Sequence, residues 1–352
     1  MIHGLGPDVR QGIDDEIDAA LARLRRRAGD LGESFAALAD AVTRAASGGK
    51  RFRPALVVAN FEAFGGRADE MTGVYPVAAS FELLHTAFVV HDDVIDHDIE
   101  RRGIPNIAGE FRLRGSGAGA GAVAAAGLGD AAAILGGDLL LYEATRLIAL
   151  ADISANRRAA LMALFDDAVV VSAAGELADV ENALRGADQS GDSLLTAAHD
   201  KTAVYSFTAP LRAGALLAGA SAQDLETLRL CGGDLGLAYQ LVDDLIGAFG
   251  TTDQAGRDAG GDLREAKRTP LIALAQQTPS WPTVSDALSR AHTGAIAVLE
   301  AQRVLDESGA RTRLCGLVED TLAQALISAE RLPSAAATLL GGIAERIRER
   351  IP

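Results

Sequence analysis

The sequence predicts an all-α chain, and three observations carry that prediction. Of its 352 residues, 49% are hydrophobic, much of that Ala and Leu, while only 4% are aromatic. Such a composition suits helices packed closely through small side chains. Apolar residues recur at helical spacing through most of the chain, and no stretch alternates strongly enough to seat a sheet. The length allows one large domain or two small ones, with ample core volume. The net charge of −15 argues against a nucleic-acid partner, whose phosphates demand a basic footprint. A phosphorylated small molecule held by local arginines stays open. Cys231 and Cys315 have no metal-ligand or redox spacing and suit buried positions in a reducing compartment. The N-terminal MIHGLGPDVR lacks the basic and apolar regions of a signal peptide. No apolar run reaches about 18 residues. A cytoplasmic protein with no transmembrane segment is the expectation.

Residues 12–46 predict one or two amphipathic helices. Ile13, Ile17, Leu21 and Leu24 form the apolar stripe, and the basic run Arg23 to Arg27 reads as a solvated face. Next comes GGKRFRP, Gly48 to Pro54, in which Pro54 suits the first turn of a helix over 55–64. The glycines allow close approach to a ligand, and Lys50, Arg51 and Arg53 converge on a helix entry whose N–H groups are unpaired. That is an anion site, although the GxxxxGK[ST] spacing of a P-loop is absent.

A helix starting near Asp69 leads into FELLHTAFVVHDDVIDHD, Phe81 to Asp98. At about 100° per residue, His85, Phe88, Asp92 and Asp96 share one face. The carboxylates of Asp92 and Asp96, at i and i+4, are neighbours that repel unless a cation sits between them. Mg²⁺ is commonly held by one or two carboxylates plus substrate phosphates. A solvated helix end is the alternative. The same DDxxD spacing also occurs at Asp14, Asp15 and Asp18, where it reads as solvated. What distinguishes the second copy is the apolar run before it and the pair Arg101-Arg102 after it. His85 and His91 flank the acids in roles open between structure and function.

The stretch 114–127, RGSGAGAGAVAAAG, reads as a flexible Gly/Ala-rich surface loop. Helices are expected over about 130–150, 155–185 and 192–218, with Glu176, Asp179 and Glu181 as a solvated acidic face. A second acidic helix follows, Leu225 to Phe249, placing Gln240, Asp243 and Asp244 on one face. Gly232, Gly233 and Gly236 in its middle each cost about 1 kcal/mol relative to Ala, which suggests close packing or a cavity. The polar loop 251–269 is too long and charged for a plain connector. The remainder reads as further helices, with Leu314, Leu317, Leu322, Ala325 and Leu326 as core.

Two acidic helices and basic patches at 50–53, 101–102 and 257–268 form a set suited to magnesium and a diphosphate, with electrostatic help for its departure. Over roughly 45–275 the chain strongly resembles the trans-type polyprenyl diphosphate synthase family. The motifs occur in that family's order: GGKRFRP, HDDVIDHDIERRG, Gly137-Asp138, Lys201-Thr202, YQLVDDLIGAFG and GGDLREAKRT. Each is weak alone; six in order are very specific.

The resemblance implies one all-α domain over 1–352, a bundle of ten or more helices around a central cavity, and a homodimer. It implies head-to-tail condensation of isopentenyl diphosphate with an allylic diphosphate, assisted by three Mg²⁺ ions. Asp92, Asp93 and Asp96 match the first metal motif, and Asp243 and Asp244 the second. Lys50, Arg53 and His85 match the isopentenyl diphosphate site, with Arg102 contacting the same diphosphate. Arg101, Lys201, Gln240 and Lys267 match contacts to the allylic diphosphate. Thr202 matches a residue that steadies the cation and assists proton loss. Two positions depart from the pattern: Gly247 stands where many members have a third aspartate, and Arg257 where a lysine is common.

In the family, the residues four and five before the first motif set product length. Here they are Phe88 and Ala87, which favour geranylgeranyl diphosphate over farnesyl diphosphate or a longer chain. Two other classes compete. A class I terpene cyclase would not need GGKRFRP. A non-catalytic subunit of a heteromeric synthase would need a lost motif, yet both acidic motifs keep their leading aspartates.

Overall fold

The computed structural model describes residues 6–67, 70–101, 103–184, 191–255 and 259–352. Its order begins α1 (Pro7–Ala28), α2 (Glu33–Ala46), α3 (Phe52–Ala63) and α4 (Met71–Ile95). A hairpin of β1 (Glu100–Arg101) and β2 (Ile104–Pro105) leads to α5 (Ile107–Gly117), α6 (Ala122–Leu150) and α7 (Ala155–Leu184). Then α8 (Gly191–Ala198) runs through a π-helical segment, His199–Thr208, into α9 (Ala209–Ala218), and α10 (Ala222–Phe249) follows. The chain finishes with α11 (Thr252–Ala255), α12 (Gly261–Arg264), α13 (Pro270–Gln276), α14 (Trp281–Arg290), α15 (Ala295–Glu307), α16 (Ala310–Ala329) and α17 (Ser334–Arg348). The all-α class holds, because the two-residue ladder, Arg101 opposite Ile104, is the only strand pairing among the described residues.

There are two compact units: Ile2–Phe165 with Ala213–Gly219, and Asp166–Arg212 with Ala220–Pro352. In the first, α4 is the core helix and packs against α1, α2, α3 and α6. Phe81, Leu83 and Leu84 are fully buried, and the Phe81 ring tilts against Phe165 with centroids 5.9 Å apart. The stripe Ile13, Ile17, Leu21 and Leu24 is buried as its spacing predicts. The basic run is exposed at Arg25 to Arg27 but not at Arg23, whose Nε donates to the fully buried Glu143 of α6 at 3.2 Å. By length and composition, α4 and α6 could each cross a membrane; 78% of the α4 window is buried inside the protein, against 39% for α6.

The stretch 114–127, expected as a flexible loop, is helical except at 118–121. Alanine supplies the helix propensity, and glycine lets the two helices close up. A β-carbon at Gly115 would stand 3.2 Å from Ala125 Cα, and one at Gly129 would strike the Ala108 carbonyl oxygen. Within the stretch, Gly115 is a contact point between α5 and α6, as Gly129 is just beyond it, while Gly119 and Gly121 lie in the short connection between the helices.

In the second unit α10 is central. Ser221 and Asp224 form a capping box at its start. It packs against the π segment, α16 and α17. The mid-helix glycines are explained by that packing. A β-carbon at Gly232 would lie 2.8 Å from Thr208 Cα, and one at Gly236 would overlap Ala203. Leu314, Leu322 and Ala325 are buried, while Leu317 and Leu326 are half-buried.

Candidate active site

In the first unit, the glycine loop, the acidic end of α4 and the hairpin line one cavity of about 410 Å³. Gly48, Gly49, Glu82, His85, Asp93 and Arg101 are among its walls. Gly48, Gly49 and Arg51 all have positive φ, at 74°, 86° and 52°. For a glycine this conformation is cheap; for Arg51 it costs on the order of 1–3 kcal/mol. The Arg51 side chain offsets that cost. Its Nε donates to Asp14 Oδ1 at 2.8 Å, and its Nη1 to the Ala46 carbonyl at 3.2 Å and Glu82 Oε1 at 3.3 Å. Hydrogen bonds to charged groups contribute about 1.5–3 kcal/mol each, so the left-handed turn is held. Arg51, expected among the diphosphate ligands, is therefore buried and engaged inside the protein. Lys50 is exposed beside it, and Arg53 is half-buried on the first turn of α3.

Within α4, His85, Phe88 and Asp92 are half-buried, and Asp96, its C-cap, is exposed. Asp93 turns elsewhere. Its Oδ1 accepts from Arg101 Nη2 at 2.6 Å and Nε at 3.1 Å. Burial pushes the Asp93 carboxyl above its ordinary range, against the opposing pull of Arg101. The hairpin thus delivers Arg101 to the second aspartate of the motif. Asn106 fixes the far side: its Nδ2 donates to the Asp98 carbonyl at 2.8 Å, and its Oδ1 caps α5 at Gly109 N. The Gly137-Asp138 pair has a packing reason, since a β-carbon at Gly137 would overlap the His91 ring. His91 Nε2 lies 3.5 Å from Asp138. Ala87 is fully buried. Arg102, Arg257 and Asp69 lie outside the described residues.

In the second unit, Lys201 and Thr202 lie on the π-helical segment, a distortion frequent at functional sites. Lys201 Nζ bridges Glu176 Oε1 at 3.0 Å and Asp179 Oδ2 at 3.1 Å. The acidic face of α7, expected to be solvated, is in fact the seat of this lysine. Gly175 makes room, because a β-carbon there would overlap the Lys201 backbone. Thr202 Oγ1 donates to Gln240 Oε1 at 2.9 Å, and Gln240 Nε2 donates to Asp244 Oδ1 at 3.1 Å. Asp243 accepts from Arg350 Nη2, and the Arg350 guanidinium lies 4.2 Å from the Tyr239 ring centroid. Lys267 pairs with Glu265 at 3.4 Å.

Asp244 is buried, and its Oδ2 has no hydrogen-bond partner. Burial, then the neighbouring Asp262, raises its carboxyl well above the usual range. Asp262 reaches this position because residue 247 is glycine: a β-carbon there would overlap Asp262 Oδ2. The departure at Gly247 therefore makes room for another acid. Among the described residues, no three His, Cys, Asp or Glu side chains converge as a ready metal cage. Mg²⁺ needs only one or two carboxylates, with phosphate and water completing its shell. An unbonded buried carboxylate oxygen on Asp244, beside Asp243, fits such an ion. Sequence reasoning misses Glu82, Asp262 and Arg350 as site neighbours. The i, i+3 spacing of Glu176 and Asp179 was the one available signal for the Lys201 seat.

The sequence matches the family model described as polyprenyl synthetase over residues 35–303. It is 32% identical to a geranylgeranyl diphosphate synthase of Sulfolobus acidocaldarius over 64% of this chain and 62% of that protein. It is 34% identical to a (2E,6E)-farnesyl diphosphate synthase of Mycobacterium tuberculosis over 75% of this chain and 63% of that one. The matched stretches thus span less than two thirds of these curated relatives. The structure resembles that of a geranylgeranyl pyrophosphate synthase from Corynebacterium glutamicum complexed with isoprenyl diphosphate and magnesium. That TM-score is 0.88 at 26% identity, covering 97% of this chain and 98% of the other.

Proposed function

We propose that this chain, which belongs to the polyprenyl synthetase family, joins isopentenyl diphosphate head-to-tail to an allylic diphosphate. The observation that carries the reading is the cavity in which the glycine loop, His85 and Arg101 meet at the acidic end of α4. In this reading the two compact units form one synthase domain, since the family match spans residues of both.

Lys50, Arg53, His85 and Arg102 bind isopentenyl diphosphate. Lys201, Gln240, Arg101 and Lys267 hold the allylic diphosphate. Asp92 and Asp96 in the first unit and Asp243 in the second would be ligands to Mg²⁺, three ions in all, with Asp93 and Asp244 as the second aspartates of their motifs. The relative from Corynebacterium glutamicum, complexed with magnesium, supports the choice of metal. Magnesium, when bound, supplies positive charge that steadies the leaving diphosphate.

The C1–O bond of the allylic substrate breaks and its electron pair leaves with diphosphate. The isopentenyl double bond then forms the new bond to C1, and the proton lost from the adduct goes to the departed diphosphate. Lys201, fixed between Glu176 and Asp179, presents a positioned charge to the leaving group. Thr202, held by Gln240, would offer its hydroxyl oxygen to the cation and the departing proton. The apolar residues of α4 keep water from the cation.

The proposed product is geranylgeranyl diphosphate, because Phe88 lies one helical turn below Asp92 on the same face while Ala87 leaves space beside it. Purified protein with Mg²⁺, labelled isopentenyl diphosphate and, separately, dimethylallyl, geranyl and farnesyl diphosphates tests both parts. A dominant C20 alcohol after dephosphorylation is expected. A C15 alcohol, or one longer than C20, would overturn the role of Phe88. We also propose a homodimer built on α6, which exposes Val123, Leu135 and Tyr142 at 89%, 55% and 59%.

A further inference from the structure

The first DDxxD copy, on α1, lies before the stretch matched by the family model and has no part in the proposed chemistry. It is nevertheless tied to the glycine loop. Asp14 Oδ1 accepts from Arg51 Nε at 2.8 Å, and Asp14 Oδ2 lies 3.6 Å from Arg10 Nε. Arg10 Nη2 in turn donates to the Gly49 carbonyl at 3.0 Å. Arg51 reaches on to the Ala46 carbonyl and to Glu82, whose Oε2 is buried without a hydrogen-bond partner. A β-carbon at Gly49 would touch Glu82 Oε1 at 3.4 Å. One helical turn of α1 therefore grips the loop at two points: its backbone at Gly49 and its left-handed residue Arg51.

We propose that Asp14 and Arg10 are positioning residues for the isopentenyl diphosphate site. Acting through Arg51 and the Gly49 carbonyl, they fix the backbone on which Lys50 and Arg53 are presented. The inference rests on the synthase reading for the identity of the ligand, not for the existence of the clamp. If the clamp positions that loop, loosening it weakens one substrate and spares the other. If the contacts merely dock α1, loosening them lowers stability and affects both substrates alike.

The test compares wild type with Asp14→Ala, Asp14→Asn, Asp14→Glu and Arg10→Met. Three readouts are taken: KM for isopentenyl diphosphate and for geranyl diphosphate, kcat, and amide hydrogen exchange over residues 46–54. For Asp14→Ala, KM for isopentenyl diphosphate should rise about tenfold, while KM for geranyl diphosphate and kcat stay within about twofold. Exchange should quicken at 48–52 and stay unchanged in α4. Asp14→Glu should recover most of the loss and Asp14→Asn less, because the carboxylate carries the contact. Parallel rises in both KM values, or a lowered melting temperature with unchanged KM and unchanged exchange at 48–52, would overturn the proposal. A wild type with no turnover would instead contradict the synthase reading. The exchange pattern, with isothermal titration of isopentenyl diphosphate into wild type and variants, would then still decide the clamp.

Discussion

Asp244 shows how a single buried carboxylate can be set against the fold. One of its oxygens is bonded to Gln240, the other has no partner, and burial raises its carboxyl well above the usual range. A raised acid binds its proton more readily folded than unfolded. Its contribution is thus fully present below the ordinary carboxylate range and is lost as pH climbs toward the folded value. Asp244→Asn keeps an oxygen for Gln240 and removes the ionisation. Without magnesium, its urea midpoint should exceed that of wild type at pH 8 and match it near pH 3.5. Equal midpoints at both pH values would contradict this account. The proposed roles of Asp92, Asp96, Asp243 and Lys201 are read from spacing and resemblance, whereas the partners of such residues cannot be. Nothing in the local sequence ties Arg350 to Asp243 or Asp14 to Arg51, because those contacts join distant segments through packing.

Among the elements, α10 is the most legible and the most constrained. Its apolar periodicity and acidic face identify it, and its glycines correctly announce close packing. What they pack against was hidden, since the π segment has no composition signal and α12 is one turn long. The stretch 114–127 misled for a related reason: a glycine between helices, such as Gly115, and a glycine in a loop look alike until Ala125 is seen against it. The contact of α10 with α12 has a direct consequence. Gly247→Ala would push a methyl into the buried carboxylate of Asp262, and overpacking of this kind costs about 1–3 kcal/mol. The chemical denaturation midpoint should fall accordingly, and Gly247→Asp, which adds a buried like charge, should be worse still. A variant as stable as wild type would show that α12 moves aside freely.

At the scale of the molecule, an all-α fold with helices over most of the chain was legible from composition and periodicity, whereas the proposed homodimer rests on exposed surface. Leu135 and Tyr142, seven residues apart on one face of α6 and 55% and 59% exposed, are the apolar surface that the proposed homodimer would cover. Leu135→Glu should halve the mass measured by light scattering at micromolar concentration, leaving the helical circular dichroism intact. A wild type already monomeric would remove α6 as an interface. The central claim is the reaction itself, and the measurement closest to it is the product assay with magnesium and the three allylic primers. The account predicts consumption of labelled isopentenyl diphosphate with release of diphosphate and a dominant C20 alcohol. A folded, magnesium-supplied sample that elongates none of the primers would contradict it.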